Sequence, residues 1–170
     1  MNTPNQRPIG VFDSGVGGLT NVRALMERLP LENIVYFGDT ARVPYGVKSR
    51  ATIETFTAQI VGFMLEHDVK ALVIACNTIA AVAGHKVRQM AGNMPVLDVI
   101  SAGAQAALAT TRNNHIGVIA TNTTVHNNDT AIPAKITRLR SPLLSFHALL
   151  INITTNQLIP PPILATKAML

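Results

Sequence analysis

The chain reads as an α/β fold, a parallel sheet flanked by helices. Three features predict it. Short runs rich in β-branched residues recur along the first 120 residues, segments with helical spacing of apolar residues separate them, and glycine- or proline-bearing loops follow the strands. Near-continuous apolar strands of this kind suit a sheet covered on both faces.

The first strand is expected over Ile9 to Phe12 and leads into Asp13-Ser-Gly-Val-Gly-Gly18. Its glycines let the backbone approach a ligand, and N–H groups at the helix start that follows suit an anion such as a carboxylate. A tight turn with Asp13 or Ser14 as a helix cap accounts for the same residues. Thr20 stands at the third glycine position of G-x-G-x-x-G, so the loop is not the dinucleotide fingerprint. Leu19 to Leu29 then reads as a helix, and Ile34 to Phe37 as the second strand. The following loop, Asp39 to Gly46, is long for a simple connection. Its Pro44-Tyr-Gly46 end can fold over a small ligand, while Arg42 and Tyr45 are also ordinary residues of a surface turn. In the next helix, Ala51 to His67, Ile53, Phe56, Ile60, Phe63 and Met64 recur at helical spacing and predict one buried stripe.

The third strand, Ala71 to Ala75, ends on Cys76, the only cysteine of the chain, and hands over to a helix at Ile79 to Met90. A thiol at such a junction sees the positive end of a helix dipole and first-turn N–H groups, both of which favour thiolate. Burial as a small hydrophobe is the ordinary alternative for a lone cysteine. Asn77 and Thr78 can cap the helix and still offer donors to a ligand. Val96 to Ile100, Ala102 to Thr111 and Ile116 to Ala120 continue the pattern as strand, helix and strand. In open α/β sheets ligands bind beyond the carboxyl ends of the strands, so the three loops are expected to converge on one crevice.

Composition narrows the function classes. Hydrophobic residues make up 48% and charged residues 14% of the 170, which excludes a disordered chain. The net charge of +5 comes from scattered basic residues with 4% aromatics, a poor match for a nucleic-acid-binding face. No signal-peptide layout opens the sequence, and the apolar stretch Leu143 to Ile153 is too short to span a bilayer, so a cytoplasmic protein without membrane partners is expected. The histidines His67, His85, His115, His126 and His147 form no metal-ligand spacing, and no pyridoxal lysine motif is present. His67 and His85 are expected near helix C-termini.

From Ile9 to about Thr124 the chain resembles the bacterial glutamate racemases of the wider aspartate/glutamate racemase superfamily. FDSGVGGLT, IVYFGDTARVPYG, ALVIACNT and IGVIAT follow that family's pattern in its order. The resemblance implies cofactor-independent interconversion of L- and D-glutamate, which supplies D-glutamate for peptidoglycan. Two cysteines there face opposite sides of the α-carbon. Cys76 matches the first and Asp13 the residue that assists its proton transfers. Ser14, Tyr45, Gly46, Asn77, Thr78 and Thr121 match positions that hold the carboxylates and ammonium of the amino acid. The family's second cysteine lies in a Gly-Cys-Thr-His loop that this sequence lacks.

The resemblance further implies two similar α/β domains. Residues 1–97 would form most of the first and residues 98–170 only the start of the second. From about Asp129 charge and pattern fall away, as expected of a shifted reading frame or a degenerate end, so the chain is expected to be a truncated racemase. A homodimer is compatible with the family. Two rival readings stay open: a non-catalytic glutamate-binding or interaction remnant, and a one-thiol lyase or hydrolase acting on a related acid.

Overall fold

The computed structural model describes residues 6–112, 120–121 and 123–124. Its elements alternate as expected: β1 (Ile9–Asp13), α1 (Leu19–Arg28), β2 (Ile34–Gly38), α2 (Arg50–Glu66), β3 (Ala71–Ile74), α3 (Asn77–Ala91), β4 (Val96–Asp98) and α4 (Val99–Thr110). Two short 3-10 turns, Thr40–Arg42 and Tyr45–Val47, shape the loop between β2 and α2. The four strands form one parallel sheet in the order β2-β1-β3-β4. The expected strand Ile116 to Ala120 and the segment from about Asp129 lie outside the described residues, apart from Ala120.

Successive side chains of each strand go to opposite faces. Ile9, Val11, Ile34, Tyr36 and Val73 point to one face, where Val22 and Leu25 of α1 cover them. Phe12, Val35, Phe37, Leu72 and Ile74 point to the other, where α2 and α3 pack. Gly10 lies on this second face. A Cβ there would sit 3.1 Å from Leu72, Met64 and Val69, so the glycine lets the helix side pack down onto β1.

The stripe on α2 is realised in part. Ile53, Ile60 and Met64 are buried, and Phe56 is partly buried. Phe63 remains 37% exposed, tilted against Phe37 and His67 at the helix end. Thr57 and Val61 are buried in addition, because α2 lies along α3 as well as over the sheet and so buries a wider face than one stripe. Ser49 caps this helix, accepting from the Thr52 N–H at 3.2 Å.

Two expectations need correction. The fourth strand stops at Asp98 instead of Ile100, because the Asp98 carboxylate accepts from the Ser101 N–H at 2.7 Å and starts α4 at Val99. His85 is not near a helix C-terminus. It sits mid-way along α3, with Nε2 3.7 Å from Glu54 Oε1, whereas His67 does occupy the C-cap of α2.

Candidate active site

β1 and β3 are sheet neighbours, and the helices that follow them depart to opposite faces. That divergence is the switch point at which an open α/β sheet leaves a crevice beyond its strand ends. The Ala75 N–H donates to the Phe12 carbonyl at 2.8 Å, carrying the β1 to β3 pairing up to the residue before Cys76. Ser14 is thereby set beside the thiol, with Oγ and Sγ 3.1 Å apart.

Asp13 is buried behind this pair. Its Oδ1 accepts from the Ser14 N–H at 2.7 Å and, more loosely, from Ser14 Oγ at 3.4 Å, and its Oδ2 accepts from the Gly18 N–H at 2.7 Å. Asp13 therefore braces the start of α1 and also stands one hydroxyl away from Cys76. Neither Asp13 nor Ser14 is the helix cap expected of this loop, since Gly18 is the N-cap of α1 and no side chain caps it. The single hydrogen of Ser14 Oγ can go to Asp13 when Cys76 is a thiol and donates to Oγ, or to Sγ when Cys76 is a thiolate. The hydroxyl can thus accommodate either protonation state of the sulfur.

Cys76 is itself the N-cap residue of the 15-residue helix α3, and its carbonyl accepts from the Ala80 N–H at 2.9 Å. No side chain caps this helix start, so neither Asn77 nor Thr78 takes the capping role expected of it. They are instead the first two helical residues, Asn77 exposed and Thr78 buried. The thiol lies at the positive end of the helix dipole, an arrangement that favours an anion at the sulfur.

The second loop is pinned from within. Asp39 is buried, and its carboxylate accepts from the Tyr45 hydroxyl and pairs with Arg42, whose Nε lies 2.6 Å from Oδ2. The Arg42 guanidinium also stacks 4.2 Å over the Phe56 ring. Burial and the bond to Asp39 push the Tyr45 hydroxyl well above its ordinary value, so it stays protonated as a donor. Tyr45 is thus a core residue whose side chain is committed to Asp39. Gly46 faces Thr121: a Cβ there would meet Thr121 Cγ2 at 3.5 Å. The Thr123 hydroxyl donates to the Gly46 carbonyl at 2.6 Å, and Thr121 Oγ1 lies 3.0 Å from Thr124 Oγ1. This ties the segment around Thr121 to the loop at Gly46. Among the described residues no cluster of three or more His, Cys, Asp or Glu could hold a metal.

The sequence profile of the family described as Asp/Glu/Hydantoin racemase matches residues 20–131. The chain belongs to this racemase family. A glutamate racemase of Neisseria meningitidis serogroup C is 82% identical over 127 residues, covering 75% of this chain and 47% of the relative. One of Syntrophus aciditrophicus is 63% identical over 127 residues, with the same 75% and 47% coverage. Among solved structures, the glutamate racemase of Francisella tularensis in complex with D-glutamate is similar with a TM-score of 0.69 at 54% identity, covering 75% of this chain and 47% of that one. This racemase-family chain thus spans about half the length of the relatives it matches.

Three supporting residues receive no role from the motifs: Tyr36 and Asp39, which lie within IVYFGDTARVPYG, and Thr123. Tyr36 carried a signal, a hydroxyl in an otherwise apolar strand. Asp39 and Thr123 are polar loop residues whose partners become apparent only once the loops meet.

Proposed function

We propose that this chain acts on glutamate at the α-carbon, with the Cys76 thiolate removing and returning the α-proton on one face. This is the thiol half of the interconversion of L- and D-glutamate that supplies D-glutamate for peptidoglycan in the cytoplasm. The observation that carries it is the contact between Ser14 Oγ and Cys76 Sγ at the β1/β3 switch point, backed by Asp13. The relatives named as glutamate racemases, one of them solved with D-glutamate, support the substrate.

An amino acid's α-proton is barely acidic, so carbanion character must be met by positioned donors in a water-poor site. In this reading Asn77 and Thr78 at the start of α3, Gly46 and Tyr45 in the second loop, Thr121, and Ser14 hold the carboxylates and ammonium. Asp13 assists the proton transfers of Cys76 through Ser14. The reaction needs no cofactor in this scheme. Residues 1–97 act as most of one α/β domain and residues 98–170 as the start of a second. The sequence holds one cysteine, so inversion needs a second acid of another kind or from elsewhere.

Titration calorimetry of the full chain tests the substrate. Heat of binding with D- or L-glutamate, weaker with aspartate and retained in Cys76→Ser, is the expected result. No binding of either glutamate enantiomer overturns the proposal.

A further inference from the structure

Tyr36 lies within IVYFGDTARVPYG but has no part in the site as read so far, yet its side chain reaches the loop that carries Ser14. From β2 its half-buried ring lies in a slot lined by two glycines. A Cβ on Gly18 would sit 3.2 Å from Tyr36 Cε2, and one on Gly38 would sit 3.1 Å from Cε1. At the end of the slot the hydroxyl donates to the Gly15 carbonyl at 2.8 Å. That carbonyl also lies 2.3 Å from where a Cβ on Gly38 would stand, so β2 approaches the loop as closely as backbone allows. A second tie runs between the same segments, the Asp39 N–H donating to the Asp13 carbonyl at 3.0 Å.

We infer that Tyr36 is a positioning residue: through the Gly15 carbonyl it holds the Ser14-Gly15 turn in the place that sets Ser14 Oγ against Cys76 Sγ. The inference rests on the reading of Cys76 as the base, and it adds a residue that acts on the base from a different strand. The hydroxyl is suited to the task because it remains a donor. Burial, and then the charges of Asp13 and Cys76, raise its pKa to about 12. The Tyr36 hydroxyl bonds Gly15 and the ring lies against Gly18 and Gly38, none of them a residue proposed to hold glutamate. Its effect should therefore fall on the alignment of the thiol, felt in the transition state, more than on retention of glutamate.

The test is Tyr36→Phe in the full chain, which keeps the ring in its slot and removes only the hydroxyl. Deuterium uptake at Cα of glutamate in heavy water should fall about fivefold to tenfold at saturating glutamate, the scale of one lost hydrogen bond. The half-saturating concentration should stay within about twofold of the parent, since ground-state binding is untouched. A Tyr36→Phe chain that exchanges at the parental rate, or loses only affinity, overturns the inference and leaves the proposed function standing. If the parent chain shows no exchange, the proposed function fails, and amide hydrogen exchange decides the anchor by itself. Faster exchange confined to residues 14–18 in Tyr36→Phe supports it, and unchanged protection there overturns it.

Discussion

At the scale of single residues, the site is a short chain of contacts from Asp13 through Ser14 to Cys76. Ser14→Ala removes the hydroxyl that sits 3.1 Å from the sulfur and should slow Cα exchange by about tenfold, the scale of a hydrogen bond to a charged group, while the melting temperature stays close to the parent's. Isotope exchange and a thermal melt on the same preparation check it. Gly38→Ala should behave oppositely. Its Cβ would stand 2.3 Å from the Gly15 carbonyl, a backbone atom without a flexible end, so the loops must move apart. A cost of about 1–3 kcal/mol, as for overpacking, should appear in urea denaturation together with loss of exchange. The placement of Asp13 at the end of β1 and of Cys76 just beyond β3 was legible from the apolar runs that precede them, and ligands of an α/β sheet bind beyond such strand ends. Tyr45 was only half legible. Its place in the loop could be read, but its burial depends on Asp39 and Arg42 closing beneath it, which spacing along the chain does not encode.

At the scale of elements, strand and helix identities followed from periodicity, and boundaries failed where a side chain made a cap. Val99 and Ile100 continue the β-branched run of β4, yet Asp98 accepts from Ser101 N–H and Oγ and turns them into the first turn of α4. Burial works to raise the Asp98 carboxyl, but the bonds from Ser101 and the Arg88 guanidinium outweigh it and hold the group below its ordinary value. A folded-state value below the unfolded one means that the unfolded chain binds more protons in the window between them. The stabilisation is therefore fully present above about pH 4 and is lost as pH falls through the folded value. Urea midpoints measured from neutral pH down to about pH 3 should drop more steeply for the parent than for Asp98→Asn. At the far end of α3, Gly92 has φ +59° and ψ −117°, which an L side chain adopts only under strain. Gly92→Ala should cost about 1–2 kcal/mol in denaturant unfolding without altering exchange at Cα. No residue near Gly92 announces that geometry beforehand, beyond the habit of glycine at helix ends.

For the whole molecule, the order β2-β1-β3-β4 is what makes a site out of scattered motifs, because it sets β1 beside β3 and sends α1 and α3 to opposite faces. The alternating strand patterns made an α/β sheet readable, and the convergence of loops followed from strand direction. The pairing of Ser14 with Cys76 in particular needed the strand order. Leu72 lies in the core face that unites β3 with α2 and α3, and Leu72→Ala should cost about 2–5 kcal/mol in global stability, read by chemical denaturation. Among the described residues no helix is long and apolar enough to cross a membrane. The most direct measurement is deuterium incorporation at Cα of D- and L-glutamate in heavy water, with the full chain and with Cys76→Ala side by side. Uptake in at least one enantiomer that disappears in Cys76→Ala is the predicted result; uptake that survives the loss of Cys76, or its absence from both enantiomers with the folded parent chain, contradicts the assignment of Cys76 as the base.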